Sequence, residues 1–173
     1  MKFLNITFYF FVIYFINLSL YANNIATINF DYIISKSNDY NNFLEKLISF
    51  KQLNQIDFTN EELFISTNKK DIGKLKDIIN DNEFLEKVDQ YNLRLNKFTK
   101  DVSDFNYLID KKIEINKKKI YDKVIVILQI ISNNDNYDII LNNDNYIISS
   151  KKNELSDKVI DLLNGEVVIL DLI

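Results

Sequence analysis

The sequence predicts an α+β protein, a small β-rich body carrying a long antiparallel helical hairpin with coiled-coil packing. Three observations point there. Phe84, Val88, Tyr91, Leu95, Phe98, Val102, Phe105 and Ile109 are spaced alternately by four and three residues. That is the apolar heptad of a helix burying a narrow seam against another helix. The 173-residue chain has no Pro and only two Gly, which suits long uninterrupted helices. Short apolar runs bounded by Asn and Asp lie on both sides of the helical region and read as strands.

The N-terminal segment stands apart from the fold. Lys2 is followed by a mostly apolar stretch from Phe3 to Leu20, and Leu20-Tyr21-Ala22 offers a small residue for cleavage. Residues 1–22 therefore read as a secretory signal peptide, and residues 23–173 as one domain. An uncleaved anchor is the alternative, since the stretch is just long enough to span a bilayer. Removing Lys2 leaves 20 basic against 25 acidic residues, a net charge of −5. Such a chain lacks the electrostatic footprint of a nucleic-acid binder. With no Cys, it must hold itself in an oxidising compartment by packing alone.

In the domain, Ile25 to Phe30 alternates, with Ala26, Ile28 and Phe30 on one face, and reads as a half-buried strand. Asp31 can cap a short helical turn through Tyr32, Ile33 and Ile34. A first long helix is expected from Asn42 to Ile79. Phe43, Leu47 and Phe50 start its seam, and Ile72, Leu75 and Ile79 resume it. Asn54, Gln55, Asp57, Thr59 and Asn60 interrupt the middle, and Gly73 costs about 1 kcal/mol relative to Ala, so a bend or a split is expected there. Asn80 with Glu83 three residues later resembles a capping box and marks a reversal into the second helix.

That helix carries the heptad row, with aliphatic residues at a and rings at d. After Ile109 the phase slips by one residue, to Ile113, Lys117, Ile120, Val124, Ile127 and Ile131. The run from Val124 to Ile131 is apolar nearly all round, so the helix base should enter a core. The arm is thus expected over residues 40–131 and the body over 23–39 and 132–173. Asn133-Asn134-Asp135-Asn136-Tyr137 recurs as Asn142-Asn143-Asp144-Asn145-Tyr146. Ile139-Ile140-Leu141 and Ile147-Ile148 then read as the two strands of a β-hairpin. A short amphipathic helix through Leu155, Val159, Leu162 and Leu163 is closed by Gly165. The apolar segment from Glu166 onward has the makings of one more strand.

The chemistry of catalysis is missing from the sequence. With no His, no Cys and two isolated Gly, the common general base, the thiol nucleophile and the phosphate-cradling loop are absent. No enzyme, no cofactor and no metal are expected. Asp135, Asp138 and Asp144 lack the order and Gly of a calcium loop and read as turn residues. Lys111, Lys112, Lys117, Lys118, Lys119 and Lys123 make a locally basic stretch. It reads as a solvated face, the sharper alternative being weak contact with anionic lipid headgroups or acidic clients. Phe64, Leu85, Leu93 and Tyr107 fall outside the heptad register and are the candidate client-binding residues.

The order of these parts resembles the Skp/OmpH family of periplasmic chaperones over nearly the whole mature chain. The stretch NIATINFDYIISKS is similar to the family's first strand and following helix. NYDIILNNDNYIISSKKNELSDKVIDLLN is similar to its C-terminal strand pair and closing helix, with Glu154-Leu155-Ser156 where the family usually has Asp-Ile-Thr. The resemblance implies a homotrimer whose helical hairpins surround a cavity. It also implies ATP-independent holding of unfolded outer-membrane proteins in the periplasm. Family members are often basic; this chain is acidic, and residues 40–131 hold 16 basic against 15 acidic side chains. Strong electrostatic capture of anionic clients or of lipopolysaccharide is not expected. The alternative role is a membrane-anchored coiled-coil spacer of the cell envelope.

Overall fold

The computed structural model describes residues 24–172, so the signal-peptide expectation lies outside the described residues. Strand β1 (Ile25–Ile28) enters the core first, with Ala26, Thr27 and Ile28 all buried. Helix α1 (Phe30–Ser35) follows and buries Ile33 and Ile34. Its cap is Asn29 rather than Asp31: the Asn29 side chain accepts from the N–H of Tyr32 at 2.9 Å, and Asp31 sits inside the first turn. The extended backbone of Asn29 suits a capping residue.

Helix α2 (Asn38–Leu75) is one continuous helix of 38 residues, capped by Ser37. The expected split in its middle is absent, because Phe58 and Ile65 supply the apolar contacts there. The inward row runs Phe43, Leu47, Phe50, Asn54, Phe58, Glu61, Ile65, Asn68 and Ile72. Its three- and four-residue steps never break; only the chemistry alternates between apolar and polar. At about 1.5 Å per residue the helix is about 57 Å long. The chain reverses between Leu75 and Asn80, with the N–H of Ile79 donating to the Leu75 carbonyl at 3.2 Å. As the capping-box spacing predicts, Asn80 caps the next helix by accepting from the N–H of Glu83 at 2.9 Å.

Helix α3 (Asp81–Asp135) has 55 residues and runs antiparallel to α2. Every member of the heptad row from Phe84 to Ile109 is buried or half-buried. Rings meet across the seam: Phe50 lies 5.7 Å from Phe105, and Phe58 stands edge-on to Phe98 and Phe105 at 6.2 and 5.3 Å. Beyond Ile109 the seam passes through buried Asn116, while Lys117 is exposed. The slip is therefore completed one turn later than the apolar residues alone suggest. The last turns of α3 leave α2 behind and bury Ile120, Val124, Ile127, Leu128 and Ile131 against the body. Val126 and Ile130 on the opposite face stay half exposed.

Left-handed Asn136 ends α3, and strand β2 (Ile139–Asn142) follows. It pairs in parallel with β1, Ile25 opposite Ile139 and Ile28 opposite Asn142. The expected antiparallel hairpin does not form. The repeat of the five-residue Asn-rich motif becomes a 3-10 turn at Asn143–Asn145, and Ile147 and Ile148 are almost fully exposed. The other edge of β1 is instead taken up by Glu154 and Leu155, through a bridge at Thr27 and a 2.9 Å bond from the Leu155 N–H to the Thr27 carbonyl. β content among the described residues is thus smaller than expected.

Helix α4 (Ser156–Asn164) begins where Glu154 accepts from the backbone N–H of Ser156 at 3.0 Å and from its hydroxyl at 2.5 Å. Gly165 ends it with a right-handed φ of −80°, so this terminus does not require glycine's conformational freedom. The segment after Gly165 is extended but joins no sheet. Its peptide groups bond to side chains of α2 and α3, described below.

Candidate functional site

The surface that distinguishes this molecule is the pair of helices α2 and α3. The two helices are fastened to each other by a partly exposed charged clamp. Arg94 donates from Nε and Nη2 to the two carboxylate oxygens of Glu61 at 2.5 and 2.7 Å. That bidentate geometry, with the guanidinium close to the carboxylate, holds the Glu61 carboxyl below its usual range and raises Arg94. The same guanidinium stacks 3.8 Å over the ring of Phe64. Around the clamp lies an open groove bordered by Asp57, Phe58, Gln90, Leu93 and Lys97.

All four candidate client-binding residues are exposed: Phe64 by 48 %, Leu85 by 58 %, Leu93 by 71 % and Tyr107 by 66 %. They do not converge. Phe64 and Leu93 both border Arg94, whereas Leu85 and Tyr107 lie 22 residues apart on α3, about 33 Å along its axis. Lys111 stands over the Tyr107 ring at 5.5 Å. Leu53, Ile56 and Leu63 on α2 are exposed as well. The arrangement is a spread of separate apolar contacts, unlike the enclosed pocket of a small-molecule site.

The basic stretch is largely tied up. Lys117 pairs with Asp31 at 3.6 Å, Lys118 with Asp122 at 2.7 Å, Lys119 with Asp171 at 2.7 Å, and Lys123 with Glu166. The three loop aspartates are spent on structure. Asp135 pairs with Lys158, Asp138 accepts from the N–H of Asn24, and Asp144 accepts from the Asn142 amide. Among the described residues no cluster of three or more His, Cys, Asp or Glu could hold a metal ion, and no helix is long and apolar enough to cross a membrane.

No family sequence model matches the chain, and no curated protein matches it by sequence. Structure carries the likeness. A crystal structure of a Caulobacter crescentus CB15 protein, assigned as an outer membrane chaperone (OmpH-like), superposes with a TM-score of 0.68. The match covers 83 % of this chain and 85 % of that one at 13 % identity. The fold is OmpH-like. In OmpH-like terms, α2 and α3 are the projecting hairpin, and β1, β2, α1, α4 and the base of α3 are the body. Sequence reasoning placed the hairpin and the reversal at Asn80. It missed the Glu61–Arg94 clamp and Phe58, although accepting Asn54 and Glu61 as polar members of an unbroken three-four row would have found both.

Proposed function

We propose that this OmpH-like protein is an ATP-independent periplasmic holdase that binds unfolded outer-membrane proteins and prevents their aggregation. The carrying observation is the long helical pair whose outward faces present exposed, dispersed apolar side chains. Many weak contacts suit clients that share little sequence. An unfolded barrel protein needs such shielding, because its unpaired strands aggregate. The fold shared with the OmpH-like Caulobacter protein supports the class.

A homotrimer is part of the proposal. Val126, Ile130, Ile139, Ile147 and Ile148 leave the body with exposed apolar side chains, the kind of surface that further copies of the chain would cover. Three bodies joined there would hold three hairpins around a common space. Phe64, Leu85, Leu93 and Tyr107 are proposed to contact the client. Export with loss of residues 1–22 completes the reading.

Dilution of a urea-unfolded outer-membrane barrel into buffer with the purified protein tests it by turbidity. Suppression at a modest molar excess of trimer is expected; undiminished turbidity would reject the holdase. The mature N-terminus separates this from the spacer role, which requires residues 1–22 to be retained.

A further inference from the structure

Residues 166–172 lie along the groove where α2 and α3 leave the body. Val168, Leu170 and Leu172 pack inward, whereas Val167 and Ile169 are 85 % and 76 % exposed. Alternation with a period of two is the mark of a half-buried strand. No strand lies beside it; side chains of the two helices take that role. Asp39 on α2 accepts from the N–H of Val168 at 2.6 Å. On α3, Asn116 accepts from the N–H of Asp171 at 3.0 Å and donates to the carbonyl of the same residue at 2.9 Å. Lys119 donates to the carbonyl of Ile169 at 3.3 Å.

These bonds address peptide groups and therefore any sequence; the exposed Lys119–Asp171 and Lys123–Glu166 pairs are the contacts that read side chains. A side-chain amide that donates to and accepts from one residue copies what a neighbouring strand does in a hydrogen-bonded pair. Asn116 stands in an otherwise apolar row, and its amide also donates to the Lys112 carbonyl at 2.9 Å, which holds it oriented toward an extended chain. The inward positions ask only for apolar side chains at every second residue.

We infer that this groove is a binding site for extended, alternately apolar peptide segments, filled in cis by residues 166–172 and opened when a client segment displaces them. The client is a strand of an unfolded membrane barrel. Such strands alternate apolar and polar residues with the same period of two. That choice of client rests on the holdase reading. A tethered occupant competes at an effective concentration on the order of millimolar. It would keep the groove shut against stray peptides and yield to a long client already held along the arm.

The test uses a variant stopped after Gly165, checked for helicity, and a fluorescein-labelled peptide of residues 166–173. Anisotropy should show saturable binding to the variant. Binding to the intact protein should be at least about tenfold weaker, since the open groove is then a minor state. A peptide with Ser at positions 168, 170 and 172 should bind poorly to both. A folded variant that ignores the peptide, or intact protein that binds it equally well, overturns the inference. Should the variant fail to fold, hydrogen exchange on the intact protein decides. The Val168 and Asp171 amides should lose protection when urea-unfolded barrel is bound; unchanged protection overturns the inference. Peptide capture by the variant, with no suppression of barrel aggregation by the intact protein, supports the groove and rejects the holdase.

Discussion

Asn116 and Asp171 are joined by two hydrogen bonds, one in each direction, between a buried side-chain amide and an extended backbone. Asn116 also donates to the carbonyl of Lys112 at 2.9 Å. The pair therefore ties the segment after Gly165 to the base of α3. Asn116→Leu fills the space but removes the partner of the Asp171 peptide groups. A loss of about 0.5–1.5 kcal/mol is expected, the typical net worth of a hydrogen bond, because Asp171 is exposed and its peptide groups can turn to water. Urea denaturation measures it, and faster exchange of the Asp171 amide should accompany it.

Phe58 touches two rings of α3 in the part of α2 where the sequence suggested a split. Phe58→Ala should destabilise the hairpin by about 2–3 kcal/mol, below the about 3–5 of a fully buried ring. Exchange should quicken in residues 54–102, while the amides of β1 and α4 keep their protection. Equal loosening of both regions would show that hairpin and body unfold as one.

The Glu61 carboxyl is held below its usual range, first by its hydrogen bond to Arg94. A depressed carboxylate contributes stability above its unfolded value and loses it as pH falls through the folded one. The clamp's contribution should thus be whole at neutral pH and vanish in acid, below the ordinary carboxylate range. Urea midpoints measured down through that range should fall less for Glu61→Gln than for the parent. High salt should shrink the difference, because the pair is partly exposed.

Replacing Phe64, Leu85, Leu93 and Tyr107 together with Ser should weaken suppression of barrel aggregation while helicity stays intact. Leu85 and Leu93 are solvent-facing, and changing either should alter stability by less than about 0.5 kcal/mol, whereas Phe64 and Tyr107 also lose the cation over their rings, about 0.5–1 kcal/mol each. Suppression equal to the parent's would remove these residues from the client surface.

Light scattering should show three chains per particle. Val126→Glu with Ile130→Glu, both on the open face at the base of α3, should reduce it to one. A parent protein that is already monomeric would contradict the trimer.

The hairpin was legible because its signals are local. The heptad from Phe84 to Ile109 needs only spacing, and Asn80 needs only Glu83 three residues on. The middle of α2 was not, because Asn54, Gln55, Asp57, Thr59 and Asn60 look like interruptions until Phe58 and Glu61 are seen on its inward row. Glu61 becomes a seam residue only opposite Arg94, 33 positions away. The dispersed client surface was legible as exposure, through its departure from the heptad, but exposure alone does not say what binds.

Two identical pentapeptides mark the boundary between the two kinds of information. Asn133 to Tyr137 ends a helix through left-handed Asn136, whereas Asn142 to Tyr146 ends a strand and turns into a 3-10 helix. The local sequence is the same, and the neighbours differ: Ser132 receives the backbone N–H of Tyr137 on its carbonyl, while Asn142 receives that of Phe30 on its side chain. Sequence by itself determined the long helices, their reversal and the apolar base of α3, since helical periodicity and capping are settled within a few turns. Tertiary structure alone decided the parallel pairing of β1 with β2, the exposure of Ile147 and Ile148, and the seating of residues 166–172. Each of those depends on which distant group is near enough to satisfy a peptide hydrogen bond, and short strands carry no record of that choice.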